Sequence, residues 1–207
     1  MTFEEYSREA IKTASCNRDV IISRLFQEKP DNLSLLHAAL GMCSEAGEVY
    51  EWMSTPKTPS VLQNAELIAE LGDCLWYFNL AVHSFHIDFH SMCAVSALAA
   101  DDFYNVESFY DNVGLGAELM ATGAGKVSDL TKASIFYGRF VDLASLAGGL
   151  SNYLSGIILC CRALKVTLEE VMEKNIAKLR ARYGDIFSEE KANKRDIQKE
   201  CKAYSNG

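Results

Sequence analysis

Glu45 and Glu48 lie three residues apart in "CSEAGEVYEW", and Glu70 and Asp73 repeat that interval in "AELIAELGD". On an α-helix a step of three is about 4.5 Å of rise on nearly the same face. Glu66 precedes Glu70 by one turn and extends the stripe, and Tyr77 follows Asp73 by one turn. The neighbours are Ala, Gly, Val, Leu and Trp, among which an unpaired charge is costly. Two antiparallel helices packed side by side would bring four or five carboxylates together, where like charges repel and raise one another's pKa. A divalent cation removes that cost, and hard oxygen donors suit Mg²⁺ or Mn²⁺. The competing reading is a solvated acidic face, and the apolar flanks of both pairs weigh against it. Iron in a four-helix carboxylate bundle calls for Glu-x-x-His, and none of the four histidines has an acid three residues before it.

Helices must position these acids. Apolar residues recur at helical spacing through "LSLLHAALGMCSEAGEVYEWM", and "STPKTPS" should stop that helix, since proline cannot continue it. "VLQNAELIAELGDCLWYFNLAVHSF" is the next long helix, and "LASLAGGLSNYLSGIILCCRAL" a later one. Thr167 with Glu170 three residues on is a capping-box start for "LEEVMEKNIAKLRARY". Residues 3–15 read as an amphipathic helix, 16–32 as mixed, and 88–115 as less regular, with "DDFYNVESFYDN" a linker or short helix. The chain beyond Asp185 is charged, a surface helix or an arm. No alternating β pattern appears, so the fold class is all-α.

Composition narrows the function further. A formal net charge of −8 argues against a general nucleic-acid binder, which needs clustered Lys and Arg. A polyanionic ligand would therefore need a mediating cation. Ser, Asn and Gly interrupt the most apolar stretch, which reads as a core helix rather than a membrane span. The opening "MTFEEYSREA" lacks a basic segment followed by an apolar run, so a cytoplasmic location is expected. Seven cysteines, Cys16, Cys43, Cys74, Cys93, Cys160, Cys161 and Cys201, form no C-x-x-C and read as reduced thiols. "TGAGKV" lacks the first glycine of a P-loop and has Val127 after Lys126, so it is rejected as one.

Three segments, "LLHAALGMCSEAGEVYEW", "AELGDCLWY" and "VTLEEVMEKNIAKLRARYGDIFSEEKANKRD", resemble the MazG-like nucleoside triphosphate pyrophosphohydrolases of the all-α NTP pyrophosphatase superfamily. The resemblance covers residues 1–90 and 165–196, and the ending most resembles phage-encoded members. It implies a MazG-like helical bundle that hydrolyses a (deoxy)nucleoside triphosphate to monophosphate and pyrophosphate. The family's E-x-x-E, spacer, E-x-x-D maps onto Glu45, Glu48, Glu70 and Asp73 as Mg²⁺ ligands, with Mn²⁺ an alternative. Its C-terminal K-N-x-x-K and following R-Y map onto Lys174, Asn175, Lys178, Arg182 and Tyr183. Asn175 and Lys178 are thereby implied to hold phosphate oxygens, whereas Arg182 and Tyr183 read equally as phosphate-side residues or as a helix C-terminal cap. Glu66 is an extra ligand, a base or a surface acid. Tyr77 matches a tyrosine that stacks on the base in dCTP-cleaving relatives, and Trp52 is a second stacking candidate. Trp52, Trp76 and His37 read otherwise as core. His83, His86 and His90 are set among apolar residues and do not read as a metal site. The family's habit implies a homo-oligomer. The rival class is an inactive helical scaffold or regulatory module that kept the fold. The base remains open among U, C, G and A.

The family's short form runs almost directly from the "ELGD" helix to the "LEEV" helix, and the long insertion here suggests a tandem duplication. "MCSEAGEVYEW" lies over "MATGAGKVSDL", and "LGDCLWYF" over "AGGLSNYL". Glu45 then corresponds to Gly123, Glu48 to Lys126, Glu70 to Leu146 and Asp73 to Gly149. Val95, Leu98 and Asp102 stand for Asn175, Lys178 and Arg182, with Leu98 expected in the core. The expected organisation is residues 1–99 carrying the metal site, 100–187 a degenerate second half and 188–207 a charged tail. The pseudo-dimer would hold one composite site.

Overall fold

Side chains start most of the helices. Asp31, Asp88, Ser108, Asp142 and Thr167 each accept a hydrogen bond from a backbone N–H two or three residues on. These bonds satisfy donors that a first helical turn leaves open. At Thr167 the Glu170 carboxylate returns the bond, completing the expected capping box. The computed structural model describes residues 1–14, 17–27, 31–55, 61–105, 108–184, 186–194, 196, 198 and 200. Among them there are nine α-helices and no strand, so the chain is all-α as read from its sequence. The helices are α1 (Phe3–Ala10), α2 (Arg18–Leu25), α3 (Asn32–Ser54), α4 (Val61–Ser84), α5 (Phe89–Phe103), α6 (Phe109–Tyr137), α7 (Leu143–Leu164), α8 (Leu168–Tyr183) and α9 (Glu189–Asn193).

Two sequence expectations change. The helix expected over 3–15 ends at Ala10 and passes into a 3₁₀ turn over Ile11–Thr13. The region 88–115, read as less regular, holds all of α5 and the start of α6. Its buried stripe on α5 is Met92, Ser96 and Ala100. Two of those three are small, and one is polar, so hydrophobic periodicity is faint there. Within "DDFYNVESFYDN", residues 106 and 107 lie outside the described residues, as do Cys16, Cys201 and the prolines of "STPKTPS"; α3 does end at Ser54.

The core is a layer of long helices. Leu35, Met42 and Val49 of α3, Leu67, Leu71 and Phe78 of α4, Met120 and Val127 of α6, and Leu150, Tyr153 and Ile157 of α7 are all fully buried. Helices α3 and α6 pack on each other, and each packs on the helix that follows it. Two further contacts are reciprocal: α8, which follows α7, packs on α4, whereas α5, which follows α4, packs on α7. The α5 face that meets α7 corrects one expectation. Val95 and Leu98 are 59% and 69% exposed, whereas Ser96 is buried and its backbone oxygen accepts from the Ser155 hydroxyl. Leu98 is therefore no core residue, and Ser96 turns inward on α5.

Helix α7 is the one described helix long and apolar enough to cross a membrane. Its packing accounts for that composition. It is covered by α4, α5 and α6, and twelve of its residues, from Leu146 to Cys161, are buried. Cys74, Cys160 and Cys161 are buried free thiols, Cys93 is half-buried and Cys43 exposed; burial pushes the Cys160 and Cys161 thiols well up, that of Cys161 to about 12.

Candidate functional site

The acid stripe of α3 faces that of α4. Carboxylate oxygens of Glu45, Glu70 and Asp73 come within 4.8 Å of one another. Glu45, Glu70 and Asp73 are half-buried, and Glu48 is exposed at the rim. Two glycines allow the approach of the surrounding side chains. A Cβ on Gly41 would lie 2.1 Å from the Tyr77 ring, so that ring rests on the α3 backbone. A Cβ on Gly72 would lie 2.9 Å from the Asn175 side chain, so α8 meets α4 at close range just where Asp73 sits.

Helix α8 delivers two donors to Asp73. The Asn175 amide donates to Oδ1 at 3.1 Å, and the Lys178 ammonium donates to Oδ2 at 2.5 Å and to the Ala69 carbonyl at 3.3 Å. Lys178 is only 4% exposed and Asn175 7%. That burial separates them from an ordinary solvated helix face, since a buried lysine needs a partner. Beneath the site, the buried Tyr153 hydroxyl donates to the Met42 carbonyl at 3.2 Å and ties α7 to α3.

Electrostatics follow from this crowding. Burial, then the charges of Glu48, Asp73 and Glu70, push the Glu45 carboxyl up to about 7. Burial, then Glu48 and Asp73, push Glu70 up to about 7 as well, and Glu48 also shares a hydrogen bond with it. Lys178 pulls both in the opposite direction without cancelling the effect. Two carboxyls that resist ionisation beside a third carry a repulsion that a bound cation would relieve. All are hard oxygens, which suits Mg²⁺ or Mn²⁺ and not a thiolate- or imidazole-seeking metal.

A cavity of about 820 Å³ opens in front of the acids. Glu45, Glu48 and Asp73 form one end, and Ile176, Leu179, Arg180, Arg182 and Tyr183 of α8 form a side. His37, Trp76 and Tyr77 form an aromatic wall, and Gly184, Ile186 and Phe187 lie beyond α8. Tyr77 stacks edge-on with Trp76 at 4.8 Å and His37 at 5.5 Å between ring centroids. Tyr183 and Phe187 stand 5.2 Å apart. Burial, with Glu45 and Asp73 nearby, holds the Tyr77 hydroxyl above its usual range, so it stays a neutral donor.

The predicted residues divide accordingly. Glu45, Glu70, Asp73, Asn175 and Lys178 converge, with Glu48 and Tyr77 at their edge. His37 and Trp76 line the cavity, His37 exposed and Trp76 38% exposed, which corrects their reading as core. Trp52 does not join them; its ring packs on Phe109 at the start of α6, 6.5 Å between centroids. It shares a helix face with Glu45 but stands about 10.5 Å further along the axis. Glu66 is exposed one turn before Glu70 and is outside the triad. His83, His86 and His90 are exposed and form no metal-holding group among the described residues. Arg182 lines the cavity but is held by Glu200, whose carboxylate accepts from Nε at 2.9 Å and Nη2 at 2.5 Å. This contact holds the guanidinium pKa above its ordinary value. The sequence reading missed Glu200, Ile186 and Phe187; the charged composition of the tail was the only signal available. No family model, curated protein or solved structure matches this chain.

Proposed function

We propose that this protein is a divalent-cation-dependent nucleoside triphosphate pyrophosphohydrolase of the MazG-like type, acting on a (deoxy)nucleoside triphosphate with Mg²⁺ or Mn²⁺. The observation that carries the reading is the convergence of Glu45, Glu70 and Asp73 within 4.8 Å, with α8 placing the Lys178 ammonium on Asp73. Such a cation, when bound, neutralises phosphate charge and lowers the pKa of a water so that it can attack phosphorus. Glu45, Glu70 and Asp73 would hold it. Asn175 and Lys178 fix the Asp73 carboxylate from behind, so that it cannot rotate away. Glu48, exposed at the rim beside Glu70, is placed to accept a proton from the attacking water. Arg180, on the cavity side, supplies positive charge for phosphate oxygens, and Arg182 lines the same side while paired with Glu200. The aromatic wall of His37, Trp76 and Tyr77 offers a stacking surface for a base. Water oxygen joins the α-phosphorus, the bond from that phosphorus to the α–β bridging oxygen breaks, and pyrophosphate leaves.

The reciprocal packing of α5 on α7 and α8 on α4 supports a further part of the reading, that residues 100–187 are a degenerate copy of the first half. The test of the activity is release of pyrophosphate, rather than orthophosphate, from a panel of dUTP, dCTP, dGTP and dATP with and without Mg²⁺. Cation-dependent release from at least one is expected. Cation-independent release sinks the cation-dependent reading, and wholly absent release favours the inactive scaffold.

A further inference from the structure

The Arg182–Glu200 pair is out of keeping with its surroundings. Both groups are nearly buried, with 13% and 3% of their side chains exposed. Yet Glu200 comes from the chain beyond α9, a five-residue helix that packs chiefly on α8 among the described elements. The Lys191 ammonium ties that segment to the end of α8 by donating to the Tyr183 carbonyl at 2.7 Å. The two carboxylate oxygens of Glu200 take Nε and Nη2 of one guanidinium. That parallel fork is the arrangement by which arginine also binds two oxygens of a phosphate. Arg182 lines the same cavity as Glu45, Glu48 and Asp73. A buried pair formed only for stability would be expected between elements of the core; this one joins a cavity residue to a peripheral segment.

We propose that Glu200 is an internal phosphate mimic: its carboxylate occupies the Arg182 fork as a latch, and a phosphate group entering the cavity displaces it. This rests on the cavity taking a phosphate-bearing ligand, as proposed above. The ligand class is an inorganic or nucleotide polyphosphate. Its greater negative charge outcompetes a single carboxylate, and the released Glu200 returns to water. The consequence is a threshold on anion affinity set by Glu200.

The test is calorimetric titration of the full chain with inorganic tripolyphosphate, which needs no hydrolysis. Glu200→Gln keeps the shape and one acceptor but removes the charge, so tripolyphosphate should bind about tenfold tighter than to the unaltered chain. Adding Arg182→Gln to that variant should abolish the gain. In the unaltered chain, tripolyphosphate should also speed amide hydrogen exchange in residues 188–194, and should not do so in Glu200→Gln. Equal or weaker binding by a Glu200→Gln chain that melts like its parent overturns the latch, as does an unchanged exchange rate. If the latch behaves as described but no nucleotide releases pyrophosphate, the hydrolase reading fails alone.

Discussion

Helices α3 and α4 form one antiparallel pair, and α6 and α7 form another. In the first, Gly41 faces Tyr77, and Glu45 faces Asp73 and Glu70. In the second, Gly116 faces Gly156, and Gly123 faces Gly149. The positions that sequence aligns with Glu45 and Asp73 are thus themselves neighbours, but there they are both glycine. A Cβ on Gly123 would lie 2.5 Å from the Gly149 carbonyl oxygen, and one on Gly156 would lie 2.4 Å from that of Gly116. The backbones touch where the first pair keeps room for carboxylates. Backbone contact of that kind yields packing and excludes a cation, whereas acids forced together yield a binding site and a cost in stability. Lys126, aligned with Glu48, lays its stem on Gly149 at 3.1 Å from where a Cβ there would be. The difference teaches that one helical-pair geometry serves either end, and that side-chain volume at two facing positions decides which.

The largest expected effect is on the acid pair. Asp73→Asn keeps the shape but removes a ligand charge and one of the two acceptors that Asn175 and Lys178 use, and should lower pyrophosphate release by about 10²–10³-fold. Activity within a few-fold of the parent would mean that α3 and α4 are no more chemical than α6 and α7. Next comes the glycine pair. Gly123→Ala puts a methyl against backbone that cannot swing aside, and should cost about 1–3 kcal/mol in chemical denaturation. An unchanged midpoint would break the contrast from the other side.

A third effect is pH dependence confined to the acid pair. Glu45 and Glu70 titrate near 7 in the fold against an ordinary 4.5. Between those values the folded chain holds more protons than the unfolded one, so stability falls as pH rises through that window. The metal-free protein should melt lower at about pH 8 than at about pH 5.5, and Glu45→Gln with Glu70→Gln should flatten the slope. Added Mg²⁺ should raise the melting temperature most at the higher pH, where protons no longer compete. A slope unaltered by the double substitution would assign the dependence elsewhere. The smallest effect sharpens the glycine argument. Gly125 has open space around it, so Gly125→Ala two residues from Gly123 should stabilise by about 0.5–1 kcal/mol through helix propensity alone. A loss at Gly125 as large as at Gly123 would show that space was not the cause.

Much of this was legible in the residues. The spacing of Glu45, Glu48, Glu70 and Asp73, the proline stop before α4 and the Thr167 capping box are local patterns. Local patterns survive in a sequence because helical period and capping act within a few residues. What lay beyond reach depended on partners far along the chain. Whether His37 and Trp76 face a core or a cavity turns on where α8 crosses α4, and Gly72 permits that crossing without announcing it. Trp52 shares the acids' face, yet the start of α6 claims it. Ser96 rather than Val95 turns inward because α7 lies against α5, a contact that the faint apolar stripe of α5 does not spell out. By itself the sequence determined the all-α class, the helices that carry the acids and the spacing that puts them on one face. Tertiary structure alone decided that Asp73 meets Lys178 105 residues later, that Arg182 is taken by Glu200, and that Gly123 and Gly149 close the second pair. The reason is physical: such contacts arise from burial and loop closure between distant segments, and neither leaves a periodic trace in the chain.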